Sequence, residues 1–213
     1  MRKQSEILEI MKIFESRDPN PRCELNYSNA YTLLVAVVLS AQSTDKGVNK
    51  ATEELFKIAD TPQKMLNLGI EKLKNYIKTI GLYNNKAKNI IALSEDLVKK
   101  HNGEVPHQRE ALESLAGVGR KTANVVLNVW FNEPPLAVAT HVTRISPRLD
   151  FSQGKTPLEI EKDLVKNLPD KYINNANHWL VLFGRYICKA QKPDCSSCPV
   201  FEYCKSKDKI KNY

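Results

Sequence analysis

Four of the five cysteines crowd the C-terminal end of the chain: Cys188, Cys195, Cys198 and Cys204, separated by six, two and five residues. Thiols grouped this tightly in a sequence without a secretory leader point to a metal rather than to disulfides. Zinc sites usually pair their ligands as two close doublets with a longer spacer. Here one doublet is flanked by single cysteines, and four thiolates around one soft centre also suit an iron–sulfur cube. The spacing favours iron–sulfur and leaves zinc open; the default role of either is structural. Cys23 stands apart and reads as a packing thiol.

The remaining sequence is that of an ordinary globular chain. Its 213 residues are 42% hydrophobic and 26% charged, and a chain of that length buries roughly 70% of its unfolded surface without disulfides. No apolar run approaches the ~18–20 residues of a membrane span. The opening segment MRKQSEILEIMKIFESR alternates charged and apolar residues at helical spacing. It resembles neither a signal nor a transit peptide, so a cytosolic protein is expected.

The dominant period is helical. Ile7, Leu8, Met11 and Phe14 form one stripe. Ser28 is the expected cap of a helix through YTLLVAVVLSAQ. That segment is apolar all round, and with no hairpin partner after it, it reads as a buried helix rather than a strand. Thr44 and Asp45 provide an N-cap and a first-turn acid for DKGVNKATEELFKIA, Pro62 suits a first helical position, and residues 71–80 form a helix stopped at Gly81. Helices are predicted at 85–100, 108–115 and 120–131, with Asn102-Gly103 as a turn. Pro134-Pro135 breaks the chain, Thr140 caps the next helix and Pro147 kinks or ends it. Pro157 opens another, and Pro169 separates it from 171–187. The sum is an all-α chain of about ten helices. Two segments share a weak pattern: Lys86, Asn89, Ile90 and Ile91 follow Gly81, and Lys121, Asn124, Val125 and Val126 follow Gly119. Chance or two similar helix–turn–helix units explains it.

Lys and Arg outnumber Asp and Glu by 32 to 24, giving +8. Six lysines and one glutamate lie within 61–92, and Lys205, Lys207, Lys209 and Lys211 end the chain against Asp208. Such a surface suits a polyanion, most often nucleic acid, or is simply a set of solvated helix faces. The segment Leu115-Ala116-Gly117-Val118-Gly119-Arg120-Lys121-Thr122-Ala123 joins two helices. It lacks the third glycine and preceding strand of a dinucleotide fingerprint, and its lysine does not directly follow a glycine as in a phosphate-binding P-loop. Gly117 and Gly119 would leave backbone N–H groups uncovered at a helix N-terminus, where one DNA phosphate fits; a plain helix C-cap is the alternative. Lys121 is either a surface lysine or, beside bound DNA, an amine nucleophile. Between the first two C-terminal cysteines, Lys189 and Lys192 lie on a loop that a metal would anchor at both ends, placed for phosphates or for solvent.

Together, the hairpin GVGRKTANVVLN and the six–two–five cysteine spacing resemble those of the endonuclease III family, helix–hairpin–helix DNA glycosylases that excise oxidised pyrimidines. LLVAVVLSAQSTD and GLYNNKAKNI are similar to further stretches of that family, and the likeness spans nearly the whole chain. The resemblance implies a 4Fe-4S cluster on Cys188, Cys195, Cys198 and Cys204. It also implies two helical domains flanking a DNA cleft: a six-helix barrel with the helix–hairpin–helix at 22–132, and a second domain joining 1–21 to 133–213, which carries the cluster. The substrate would be double-stranded DNA with a damaged base or an abasic site, bound by a cytoplasmic, nucleoid-associated monomer through Gly117, Gly119, Arg120, Lys189 and Lys192. The damaged nucleotide is flipped out, Lys121 attacks its sugar, and the resulting Schiff base permits β-elimination 3′ to the lesion. Gln42 and Leu82 match family residues that fill the vacated space.

One departure stands out. The family has Asp within a run like A-V-D-T-H, and this chain reads Ala137-Val138-Ala139-Thr140-His141. The carboxylate implied to activate the lysine and steady charge on the sugar is gone, which implies impaired excision. Ala116 in place of Pro and Pro147 in place of Asn are milder departures. A non-catalytic lesion-binding protein of the same fold is the alternative that Ala139 raises. A monofunctional adenine glycosylase of that fold would lack Lys121, and an electron carrier would need neither the basic charge nor the hairpin.

Overall fold

The computed structural model describes residues 2–133, 137–207 and 209–210; the expected break at Pro134-Pro135, and Asp208 and Lys211 of the basic tail, lie outside the described residues. Among the described residues there are twelve α-helices, one 3-10 turn and no strand. They fall into two compact units, one continuous (Cys23–Asn132) and one built from both ends of the chain (Met1–Arg22 with Glu133–Tyr213). Each has its own apolar core. The discontinuous unit begins with α1 (Gln4–Arg17). The continuous one holds α2 (Ala30–Ser40), α3 (Asp45–Thr52), α4 (Leu55–Ile58), α5 (Pro62–Leu68), α6 (Ile70–Ile77), α7 (Tyr83–Lys100), α8 (Arg109–Glu113) and α9 (Arg120–Val129). Then α10 (Thr140–Arg148), α11 (Pro157–Asn167), α12 (Asp170–Tyr186) and the 3-10 turn Phe201–Tyr203 return to the first unit.

The central helix of the continuous unit is α2, where every side chain from Tyr31 to Leu39 is buried. A helix without charge on any face has nowhere to go but the interior, and each Leu or Val so buried contributes roughly 1.5–3 kcal/mol. Its cap is Asn29, not Ser28. The Asn29 side chain accepts from Thr32 N–H at 2.8 Å, and Thr32 Oγ1 accepts from Asn29 N–H at 3.0 Å. This reciprocal capping box satisfies two otherwise orphaned donors. Ser28 instead donates its own N–H to Thr32 Oγ1.

Thr44 caps α3 as expected, its side chain accepting from Gly47 N–H. The single helix expected beyond it is broken at the exposed Glu53-Glu54 into α3 and α4. The helix expected over 71–80 stops at Ile77, because a tighter turn, Ile80 N–H to Ile77 C=O at 2.9 Å, keeps both isoleucines inside. Cys23 is half-buried and packs on this core.

In the discontinuous unit, Ile7, Ile10, Met11 and Phe14 of α1 are buried, and Phe14 packs on Trp179 and Phe183 of α12. Tyr172 donates to Glu15 at 2.8 Å and Trp179 Nε1 to the Asp18 carbonyl at 2.8 Å, so α1 and α12 are bonded as well as packed. Ahead of α1, Arg2 is 6% exposed. Its Nε donates to Leu149 C=O at 2.8 Å, its Nη2 to Tyr203 C=O and its backbone N–H to Asp150 C=O.

Candidate nucleic-acid interface and metal centre

The hairpin lies wholly in the continuous unit, between α8 and α9. Gly117 has φ +77, a left-handed conformation that favours glycine. A Cβ there would also stand 2.8 Å from Nδ2 of Asn89, so the position is fixed twice over. Gly119 differs. It is the N-cap of α9 at φ −100, and a Cβ added there would meet nothing within 4 Å. No side chain caps α9. The exposed Gly119 thus sits at the positive end of the α9 dipole, where negative charge is favoured. Arg120 and Lys121 are its first two residues, both exposed.

Lys121 has a neighbour that sequence reasoning took only for a helix-starting acid. Burial pushes the half-buried Asp45 carboxyl up, and the charge of Lys121 pulls it back. The first residue of α3 and the second of α9 are thus within electrostatic reach. The two look-alike segments part here: Lys121 is exposed at the start of its helix, whereas Lys86 is the fourth residue of α7 and buried. Gln42 and Leu82, also of this unit, are both non-glycine residues in the left-handed region, at φ 55 and φ 61, and both are exposed.

Ala139 belongs to the other unit, half-buried, as the N-cap of α10. Thr140, expected to cap, is instead the first helical residue. The cap has no side-chain hydrogen bond; the Ala139 carbonyl accepts from the Thr143 N–H at 2.9 Å and hydroxyl at 3.1 Å. Pro147 sits one residue from the end of α10, as expected of a helix that it terminates.

At the C-terminal side of the same unit, Cys188, Cys195, Cys198 and Cys204 are all half-buried. Burial pushes the Cys198 thiol up to about 11; a Val200 backbone bond opposes this, and the sulfurs of Cys188, Cys204 and Cys195 add to it. Cys198 is therefore within electrostatic range of the other three. Among the described residues no three Cys, His, Asp or Glu side chains close on a single-ion site. The donor set is four thiols, one close doublet flanked by single cysteines, and four thiolates are what an iron–sulfur cluster takes. Two arginines of α10, absent from the sequence reading, brace the first ligand. Arg148 Nη1 donates to Cys188 Sγ at 3.3 Å and to Lys189 C=O at 2.9 Å, while Arg144 donates to the carbonyls of Cys188 and Gly184. A guanidinium beside a thiolate offsets charge that a four-sulfur site accumulates. Lys189 and Lys192 are exposed on the loop so held.

Known proteins agree with this arrangement. A profile of HhH-GPD superfamily base excision DNA repair proteins matches residues 35–170, and one for the iron-sulfur binding domain of endonuclease III matches residues 188–204. Endonuclease III of Haemophilus influenzae is 54% identical over 203 residues, covering 95% of this chain and 96% of the relative. That of Escherichia coli is 51% identical with the same coverage. Among solved structures, a trapped endonuclease III–DNA covalent intermediate superposes with a TM-score of 0.89 at 46% identity, over 96% of this chain and 97% of the other. A non-covalent endonuclease III–DNA complex gives 0.89 at 45%, over 96% of each. A thermostable thymine-DNA glycosylase, at 22% identity and a TM-score of 0.79, shares the fold. The likeness to endonuclease III thus runs through both the hairpin unit and the cysteine module, and this chain belongs to the endonuclease III family within the HhH-GPD superfamily.

Proposed function

We infer that this protein is a DNA N-glycosylase with AP-lyase activity that acts in base excision repair, with a 4Fe-4S cluster that Cys188, Cys195, Cys198 and Cys204 would hold. The observation that carries the reading is the exposed Lys121 on the first turn of an uncapped helix, directly after the glycine turn and within reach of the Asp45 charge. The start of α9 at Gly119 would take a backbone phosphate, and Lys121 would then stand beside a deoxyribose. Its amine attacks the anomeric carbon, the bond to the base breaks, and the base leaves with the bonding electrons. The imine that remains acidifies the neighbouring C–H and permits β-elimination of the 3′ phosphate. The cluster, when bound, organises the cysteine loop, so that Lys189 and Lys192 meet the backbone as fixed charges. Oxidised pyrimidines are the proposed lesion class, and a monomer in the cytoplasm, at the nucleoid, the proposed form.

Borohydride reduction with an abasic duplex tests the central step. The chain should be trapped covalently, and Lys121→Gln should not; trapping that survives loss of Lys121 would put the nucleophile elsewhere. Ala139 favours one second reading, a protein of this fold that binds lesions without turnover. Product analysis on an abasic duplex separates the two, since only the enzyme yields a cut strand.

A further inference from the structure

Lys86 is an ammonium 5% exposed in the continuous unit, and its two hydrogen-bond acceptors are uncharged. Its Nζ donates to Leu39 C=O and to Ser43 Oγ, each at 2.9 Å. Leu39 lies in the last turn of α2, where carbonyls lack a helical partner and the dipole favours a cation. Ser43 lies just beyond that helix, so Gln42 falls between the two acceptors along the chain. At the other end of the same residue, Lys86 N–H donates to Leu82 C=O at 3.1 Å, closing the first turn of α7 on the left-handed cap. A buried lysine is costly in water-free surroundings, and burial holds this one below its ordinary value. A methionine would fill the space without that cost, so the cost is attached to what the ammonium holds.

We propose that Lys86 is a positioning residue that sets Gln42 and Leu82 at a fixed separation and orientation, so that the two enter the duplex together. The proposal rests on the reading that these residues fill the space left by an extruded nucleotide. Both are exposed and both hold a strained left-handed backbone, which persists only where the surroundings over-determine it. The backbone and side-chain bonds of Lys86 supply that determination for the two at once.

The test is a double-mutant cycle on the full chain with its cluster. The readout is preference: affinity for a duplex containing a tetrahydrofuran abasic analogue, divided by affinity for the undamaged duplex. Lys86→Met should lower this ratio about tenfold, and Gln42→Ala with Leu82→Ala should lower it at least as far. Adding Lys86→Met to that pair should cost nothing more. Ser43→Ala, which removes one acceptor with little disturbance, should shift the ratio the same way by a smaller factor and remains available if Lys86→Met does not fold. A 2-aminopurine opposite the abasic analogue should lose its unstacking signal in step with the ratio. A full additive loss in the Gln42→Ala, Leu82→Ala background would make Lys86 a structural residue and overturn the proposal, as would an unchanged ratio in both Lys86→Met and Ser43→Ala. An unchanged ratio in Gln42→Ala with Leu82→Ala would instead overturn the underlying reading of those two residues.

Discussion

Asn89 occupies the space that a side chain at Gly117 would need: a Cβ there would lie 2.8 Å from Asn89 Nδ2 and 3.0 Å from Asn89 Cβ. The contact ties the hairpin turn to α7. Leu82, Lys86 and Asn89 fall at the first, fifth and eighth places of one run, which is one face of a helix. The start of α7 therefore follows directly on Leu82, holds the segment bearing Gln42 through Lys86, and meets the hairpin turn through Asn89.

That geometry separates the two glycines experimentally. Gly117→Ala should destabilise the protein by roughly 1–3 kcal/mol, from backbone strain and displacement of Asn89. Gly119→Ala should leave thermal stability nearly unchanged, because its methyl meets nothing within 4 Å. It should nonetheless weaken DNA binding several-fold, since the methyl occupies the space where a phosphate would sit. Differential scanning fluorimetry and a salt-titrated binding assay read the two effects. Equal melting losses in both variants would contradict the distinction.

Ala139→Asp should act twice. An aspartate at an N-cap accepts from the second or third N–H of the helix and is worth about 1 kcal/mol over alanine, so α10 should gain stability. The same carboxylate should raise excision of an oxidised pyrimidine by a factor of ~10²–10⁴. Ala139→Asn separates the effects: it caps comparably but carries no charge, so it should recover stability and not rate.

Cys198→Ser should yield colourless protein that loses iron and sulfide together, and melting of the C-terminal module should shift with it. Iron and acid-labile sulfide analysis of anaerobically prepared protein gives the stoichiometry directly. Stoichiometric zinc with no iron would refute the cluster.

Acid should loosen the start of α11 through Glu159. Its carboxylate accepts from Lys155 N–H at 2.7 Å and Thr156 N–H at 3.0 Å, and these bonds hold it below its usual 4.5. Because the folded value is the lower one, the contribution is fully present above 4.5 and is lost as pH falls through the folded value. Glu159→Ala should therefore melt lower at neutral pH and show a flatter acid limb, measured as melting temperature from pH 7 to pH 3. An identical acid limb in the variant would place the titration elsewhere.

What could be read from the sequence was whatever local pattern decides. The apolar periodicity of α1 and α2, the proline at the head of α5 and α11, and the glycine hairpin are each signals confined to a few residues. The cap at Asn29 was legible too, since the threonine three places on completes a reciprocal box, but Ser28 offered an equally good local partner. Lys86, Arg144 and Arg148 were out of reach for a different reason. Their bonds run 40 or more positions along the chain, to Leu39 and Ser43 from one and to Cys188 from the other two. Nothing in a lysine's neighbours distinguishes a solvated one from one that is buried against a distant carbonyl. Asp45 was legible as a helix starter and illegible as a neighbour of Lys121 for the same cause.

The bond between Trp179 and Asp18 joins positions 161 apart. During synthesis at about 5–20 residues per second, roughly 8–30 s separate the two. Through that interval α1 has no α12 to cover Ile7, Ile10, Met11 and Phe14, while the continuous unit, complete by Asn132, is free to condense first. The clasp of Arg2 on Leu149 and Tyr203 closes later still, after the last cysteine but one has emerged. The order of translation thus leaves the apolar stripe of α1 without its partner until α12 has been made.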